Sequence, residues 1–246
     1  MSVPTARLRH VSSLFSSGQT EDCRTERLAW LALLPVLTTA LFYALPARLQ
    51  AQPLFIFLPQ ALAYLGLSVW VLANDTTVQR LGLEPGRITQ GLAWGTLIGL
   101  VLGGLNVSVI LWFIPWLGGD IAFLRDTPHA RAPAVAMLPW GILLITITIE
   151  LNFRGFLLGR LLALWSDGCM PGGSAAGCAV AVLGSSLVFS FDPFMVTTFK
   201  HLHWIALWDG LIWGLAWIRL RNLYVPITAH AVEVMVMYSV LKLVPT

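Results

Sequence analysis

The residues able to do chemistry in this chain lie almost entirely in its second half, inside apolar stretches. Glu150 and Arg154 stand four apart with the acid first, the favourable order for a helical ion pair. His230 and Glu233 stand three apart, on one face of a helix. Asp192 and Asp209 complete the set, and none of these groups falls in the first three apolar stretches. A charge inside a membrane span is costly and marks a functional site by default. A buried His beside a carboxylate can be a general base, a hydrogen-bond donor or a metal ligand, and a lone one is also a common core residue. Glu150–Arg154 reads equally as a structural ion pair. His201-x-His203, with His230 and Asp209, could supply metal ligands, but H-x-H is a weak pattern and the expectation is no metal and no cofactor.

These residues must be held by membrane helices. Of the 246 residues, 57% are hydrophobic and 11% charged, and the mean hydropathy is +0.77. Soluble domains carry about 25% charged residues. A net charge of +3 is too small and scattered for a nucleic-acid surface. Cys23, Cys169 and Cys178 support neither a disulfide framework nor a zinc cluster. Seven stretches approach the span length of about 20 residues: Leu28–Leu45, Pro53–Ala73, Leu92–Leu117, Ala134–Leu151 running on toward Trp165, Ser174–Phe191, Trp204–Ile218 and Leu223–Val244. The expected fold is all-α and polytopic, with about seven transmembrane helices. Residues 1–27 read as a polar cytoplasmic tail, 28–133 as three scaffold spans, and 134–246 as the segment that carries the chemistry. Trp204, Trp208, Trp213 and Trp217 read as bilayer-facing or interfacial aromatics. With the N-terminus inside, ten Lys/Arg fall inside and five outside, which predicts a cytoplasmic N-terminus, in the inner membrane if the source is bacterial.

Residues 149–160, Ile-Glu-Leu-Asn-Phe-Arg-Gly-Phe-Leu-Leu-Gly-Arg, resemble the first signature of the CPBP family (CAAX proteases and bacteriocin-processing enzymes), E-E-x-x-F-R-G-x-L. Residues 185–194 are similar to its second, F-x-x-x-H, in a helix rich in small residues. Residues 210–230, ending in Pro-Ile-Thr-Ala-His, are similar to its third, and the Arg80-Leu-Gly-Leu turn also resembles a family element. The resemblance implies an all-helical intramembrane endopeptidase acting on a membrane-anchored or lipidated peptide. It implies Glu150 as the water-activating base, with His230 assisting and Arg154 beside it.

The sequence departs from the pattern at three positions. Ile149 stands where the leading Glu is expected, Pro193 where the second signature has His, and Val234 where an Asn often follows the last His. His203, which with Phe199 also fits F-x-x-x-H, and Asp192 are the candidate replacements. Alternatives are a catalytically inactive member of the fold that binds a peptide or partner, and a transporter subunit using the intramembrane acids. The expected partners are an anchored peptide and the lipid bilayer, with no nucleic acid.

Overall fold

The computed structural model describes residues 26–168 and 175–243, and every regular element among them is helical. The expectations for most of the tail, for Cys23 and for Cys169 lie outside the described residues. The helices that matter are α1 (Ala29–Ala44), α2 (Pro53–Ala73), α3 (Ile88–Ser108), α4 (Ala134–Trp165), α5 (Ala175–Ser190), α6 (Pro193–Phe199), α7 (Ile205–Leu220) and α8 (Tyr224–Leu243).

Four helical stretches are long and apolar enough to cross a bilayer: Pro53–Ala73, Thr77–Trp116, Ala134–Trp165 and Tyr224–Lys242. The number becomes five if α5 and the bent segment Pro193–Leu202 form one span. They are the helices of a multi-pass integral membrane protein. The count of about seven is not reached, because α1 and α7, at 16 residues each, fall short of the length of about 20. The α5–α6 bend, 52°, follows from Asp192-Pro193. Asp192 accepts a hydrogen bond from the Phe194 backbone N–H as an N-cap, and Pro193 takes the first helical position, where its missing N–H has no helical partner to lose.

The tightest helix pair is α3 against α8. Gly91, Gly95, Gly99 and Gly103 repeat every fourth residue along α3, so they share one face. A Cβ on Gly91 would lie 2.3 Å from the Tyr224 Cβ, on Gly95 2.5 Å from the Thr228 Cβ, and on Gly99 2.5 Å from the Ala229 carbonyl oxygen. Small residues let membrane helices approach closely, where van der Waals packing replaces the hydrophobic effect. Gly99→Val should therefore destabilise the protein by at least about 1–3 kcal/mol, read from thermal unfolding in detergent. Gly104→Val is the control, since nothing lies within 4 Å of its added Cβ. Equal effects at the two positions would sink the seam.

A second close approach joins α5 to α7, where Gly210 and Gly214 face Ser186 and Val182. The Arg80-Leu-Gly-Leu turn docks on the α7–α8 connection. Gly82, at φ +78°, accepts the Leu223 N–H at 2.8 Å, and the Leu81 carbonyl accepts the Trp217 indole N–H at 3.2 Å. Any side chain at Gly82 would be strained by its φ and would meet the Arg221 carbonyl.

One expectation is corrected here. Trp213 and Trp217 are 2% and 1% exposed and belong to the main core with Phe156, Phe189 and Leu158, instead of facing lipid. At the end of the polar tail, the Glu26 side chain is 4% exposed: it accepts from the Trp70 indole N–H and pairs with Arg80 and Arg160.

Candidate functional site

Glu150 ends the regular α-helical part of α4 and opens a π-helical run, Leu151–Leu158. The wider turn leaves Asn152 through Leu158 all buried, and π segments recur at functional sites. Arg154 Nη1 still reaches Glu150 Oε1 at 3.2 Å across the i,i+4 spacing. The same Oε1 meets His230 Nδ1 at 2.7 Å. Glu150 is 0% exposed and Arg154 1%, and the guanidinium lies over the Phe189 ring at 4.5 Å and the Trp213 ring at 5.0 Å. Gly210 makes room for it, since a Cβ there would stand 3.1 Å from Arg154 Nη2. Ser185 donates to the Phe153 carbonyl at 2.9 Å and fixes α5 against the π run.

His230 is clamped as well as bonded. Its ring stacks on Trp213, with centroids 4.4 Å apart and planes 23° apart, and Phe189 meets it edge-on. It lines a cavity of about 450 Å³ walled mostly by apolar side chains, among them Ile142, Ile145, Phe194, Phe199 and Met237. With Nδ1 given to Glu150, Nε2 is the nitrogen available to a molecule in the cavity. Glu150 sits behind His230 and is not part of the cavity wall. This is the geometry of a buried carboxylate that orients an imidazole and balances its charge when it takes a proton.

The structure brings Glu150, Arg154 and His230 together and leaves the two tentative replacements elsewhere. His203 is not in the cavity wall. Its Nδ1 lies 2.6 Å from the Lys200 carbonyl, its ring packs on Phe191, and its own carbonyl accepts from Ser190. Asp192 is 2% exposed and engaged by Gln60 Nε2 at 2.8 Å besides its capping bond, and it too is absent from the wall. Asp192→Ala should thus cost about 1 kcal/mol of stability as a lost cap and change any activity less than a few-fold. A loss of activity larger than the loss of folded protein would return Asp192 to the site. Ile149 and Val234, which stand where the family pattern has polar residues, both line the cavity.

Other polar groups occupy that cavity instead. Asp209 and Glu233 are both buried wall residues. Asn106 Nδ2 donates to both Asp209 oxygens, at 3.2 and 3.1 Å, and to Glu233 Oε1 at 2.7 Å. Trp208 Nε1 in turn donates to Asn106 Oδ1 at 2.9 Å. Asn106 comes from α3, one of the helices expected to be scaffold alone. The signal was present, as a lone Asn in a glycine-rich apolar span. His129, on the connection before α4, lies at the rim, and burial followed by the nearby His230 pushes its imidazole below the ordinary range. Among the described residues no group of three or more His, Cys, Asp or Glu could hold a metal ion, and His201 packs against Phe123 away from Asp209.

Residues 131–236 match the family model described as type II CAAX prenyl endopeptidase Rce1-like. The match runs from the start of α4 through most of α8 and includes Glu150, Arg154, Asp209, His230 and Glu233, while Asn106 lies outside it. No curated protein and no solved structure matches the chain.

Proposed function

We propose, taking the Rce1-like character of residues 131–236 as the premise, that this protein is an intramembrane endopeptidase for a membrane-anchored peptide, prenylated substrates being the class the family implies. The observation that carries the reading is the 2.7 Å contact between Glu150 Oε1 and His230 Nδ1, with His230 at the wall of a large apolar cavity. Glu150 and His230 work as one base. His230 Nε2 takes a proton from water as the water oxygen adds to the peptide carbonyl carbon, and Glu150 balances the imidazolium charge. The carbon–nitrogen bond then breaks as the imidazolium returns that proton to the leaving nitrogen. Arg154 fixes the carboxylate from its other side. The apolar walls suit a lipid-bearing chain and exclude bulk water, which strengthens each electrostatic interaction within.

In this reading α1 and α7 are short spans around which the bilayer thins, so that seven helices or helix pairs cross, with the N-terminus cytoplasmic by the Lys/Arg bias. A second reading is supported by Ile149 and Val234 in the cavity wall: a peptide-binding member of the fold that does not cut.

The test is a fluorescent prenylated peptide added to the purified protein in lipid nanodiscs, with products read by mass spectrometry. The proposal expects a peptide bond to be cut near the lipid-bearing residue. Saturable binding with no product over long incubation would establish the second reading in its place.

A further inference from the structure

The cavity beside His230 has an apolar body and a charged mouth. Among the described residues that line it, Arg125 and Lys242 are the exposed ones, so they mark where it opens to water. Both are cations. The acids in the wall, Asp209 and Glu233, are buried, and Asp126, the acid next to Arg125, stands outside the wall and pairs with Arg131 at 3.0 Å. The Arg125 guanidinium has no ion pair or hydrogen-bond partner among the described residues. Lys242 gives one of its N–H donors to the Ala130 carbonyl at 2.6 Å and keeps the others. An anion held at this mouth would stand at a defined distance from the base. The cavity-facing stripe of α8 runs from His230 to Lys242, a rise of about 18 Å. The Lys242 ammonium leans back over the Tyr238 ring, 5.6 Å from its centroid. That is about one turn toward His230, which leaves roughly 12 Å. At about 3.3–3.6 Å per residue, an extended chain covers this distance in about three or four residues.

We propose that Arg125 and Lys242 bind the terminal α-carboxylate of the peptide and thereby set how far from its carboxy end His230 is presented with a peptide bond. A chain that continued past the mouth would bring no charge to the two cations. A terminal carboxylate brings one charge and two acceptor oxygens, and an arginine fork and an ammonium both donate to such a group. The apolar side chains and the lipid of the peptide fill the body of the cavity, while its hydrated end stays at the exposed mouth. This rests on the reading that the cavity takes a peptide, but not on the peptide being cut.

The test compares the prenylated peptide as its free acid with the same peptide as its carboxy-terminal amide, in phosphatidylcholine nanodiscs with and without phosphatidylglycerol. Binding is read by anisotropy before turnover, and cleavage separately by mass spectrometry. Wild-type protein should bind the acid about tenfold or more tightly than the amide, the effect of a hydrogen bond to a charged group. Arg125→Gln, which breaks no contact within the described chain, should narrow that difference. Arg125→Gln combined with Lys242→Gln should abolish it, so that acid and amide bind alike. Acid and amide that bind alike in the wild type, a difference that survives the double variant, or a double variant that weakens both peptides by the same factor would each overturn the inference. Phosphatidylglycerol that removes the advantage of the acid would assign the mouth to a lipid phosphate and overturn it too. Cleavage without discrimination sinks the inference and leaves the endopeptidase standing. Discrimination without cleavage does the reverse, and a wild-type protein that binds no peptide removes both.

Discussion

If the proposed endopeptidase function holds, His230→Ala should lower turnover of a membrane-anchored peptide by about 10²–10⁴-fold, the range for removing a positioned general base. The reason is geometric. Glu150 does not reach the cavity wall, so once the imidazole is gone no base of the Glu150 pair meets a water in the cavity. The fold suffers much less. Glu150 keeps Arg154 Nη1 at 3.2 Å, and the losses are one hydrogen bond and the stacking on Trp213, together about 1–3 kcal/mol. His230→Gln separates the roles further: it preserves a hydrogen-bonding side chain of similar reach but has no basic nitrogen to accept a proton at neutral pH. It should lose turnover like the alanine variant while unfolding closer to the wild-type temperature. Steady-state kinetics beside thermal unfolding in the same detergent decide it, and a His230→Gln protein with wild-type kcat would refute the role given to this ring.

Arg154→Met destabilises the protein by about 3–5 kcal/mol, the cost of leaving a buried charge without its partner. Glu150 then keeps only His230, and Asp209 and Glu233, which lie within electrostatic reach of the guanidinium, lose its positive charge. The second half of a mutant cycle gives the diagnosis. Glu150→Gln combined with Arg154→Met should recover at least about 1 kcal/mol relative to Arg154→Met alone, since removing both members of a pair leaves no lone charge. Recovery stays partial because Asp209 and Glu233 remain. Chemical unfolding of the single and double variants measures this. Additive losses would show that the two residues brace the fold independently.

The sequence made parts of this legible because they are local. Glu150 and Arg154 share a helix face by spacing alone, and the Phe153-Arg154-Gly155 and Pro226-to-His230 elements pointed to one site from two distant segments. The 2.7 Å contact between Glu150 and His230 joins those segments. Other features depend on which face looks inward, which spacing does not reveal. Phe199 and His203 satisfy the F-x-x-x-H spacing, yet Phe199 lines the cavity and His203 turns toward Lys200. Asp192 lies one residue from the expected His position but is spent as a helix cap. Trp213 and Trp217 are as apolar as lipid-facing tryptophans, and the partners that hold them in the core, His230 and Phe189 on Trp213 and the Leu81 carbonyl on Trp217, come from distant segments. Asn106 carries no charge to mark it, although an amide in an apolar span has the same need for partners. The number of spans turns on length at α1 and α7, which at 16 residues each fall short of the usual span.

The glycine face of α3 bears on how this protein could be divided or recombined. The family-matched residues 131–236 look like a portable unit, yet they are fitted to a helix that lies outside them. Cut away from α3, the face of α8 formed by Tyr224, Thr228 and Ala229 would offer lipid tails a furrow shaped for bare backbone. Asp209 and Glu233 would confront each other with no amide between them. A chimera that joins this half to a foreign amino-terminal half inherits both defects unless α3 travels with α8, so the smallest exchangeable piece is the helix pair and not the matched segment.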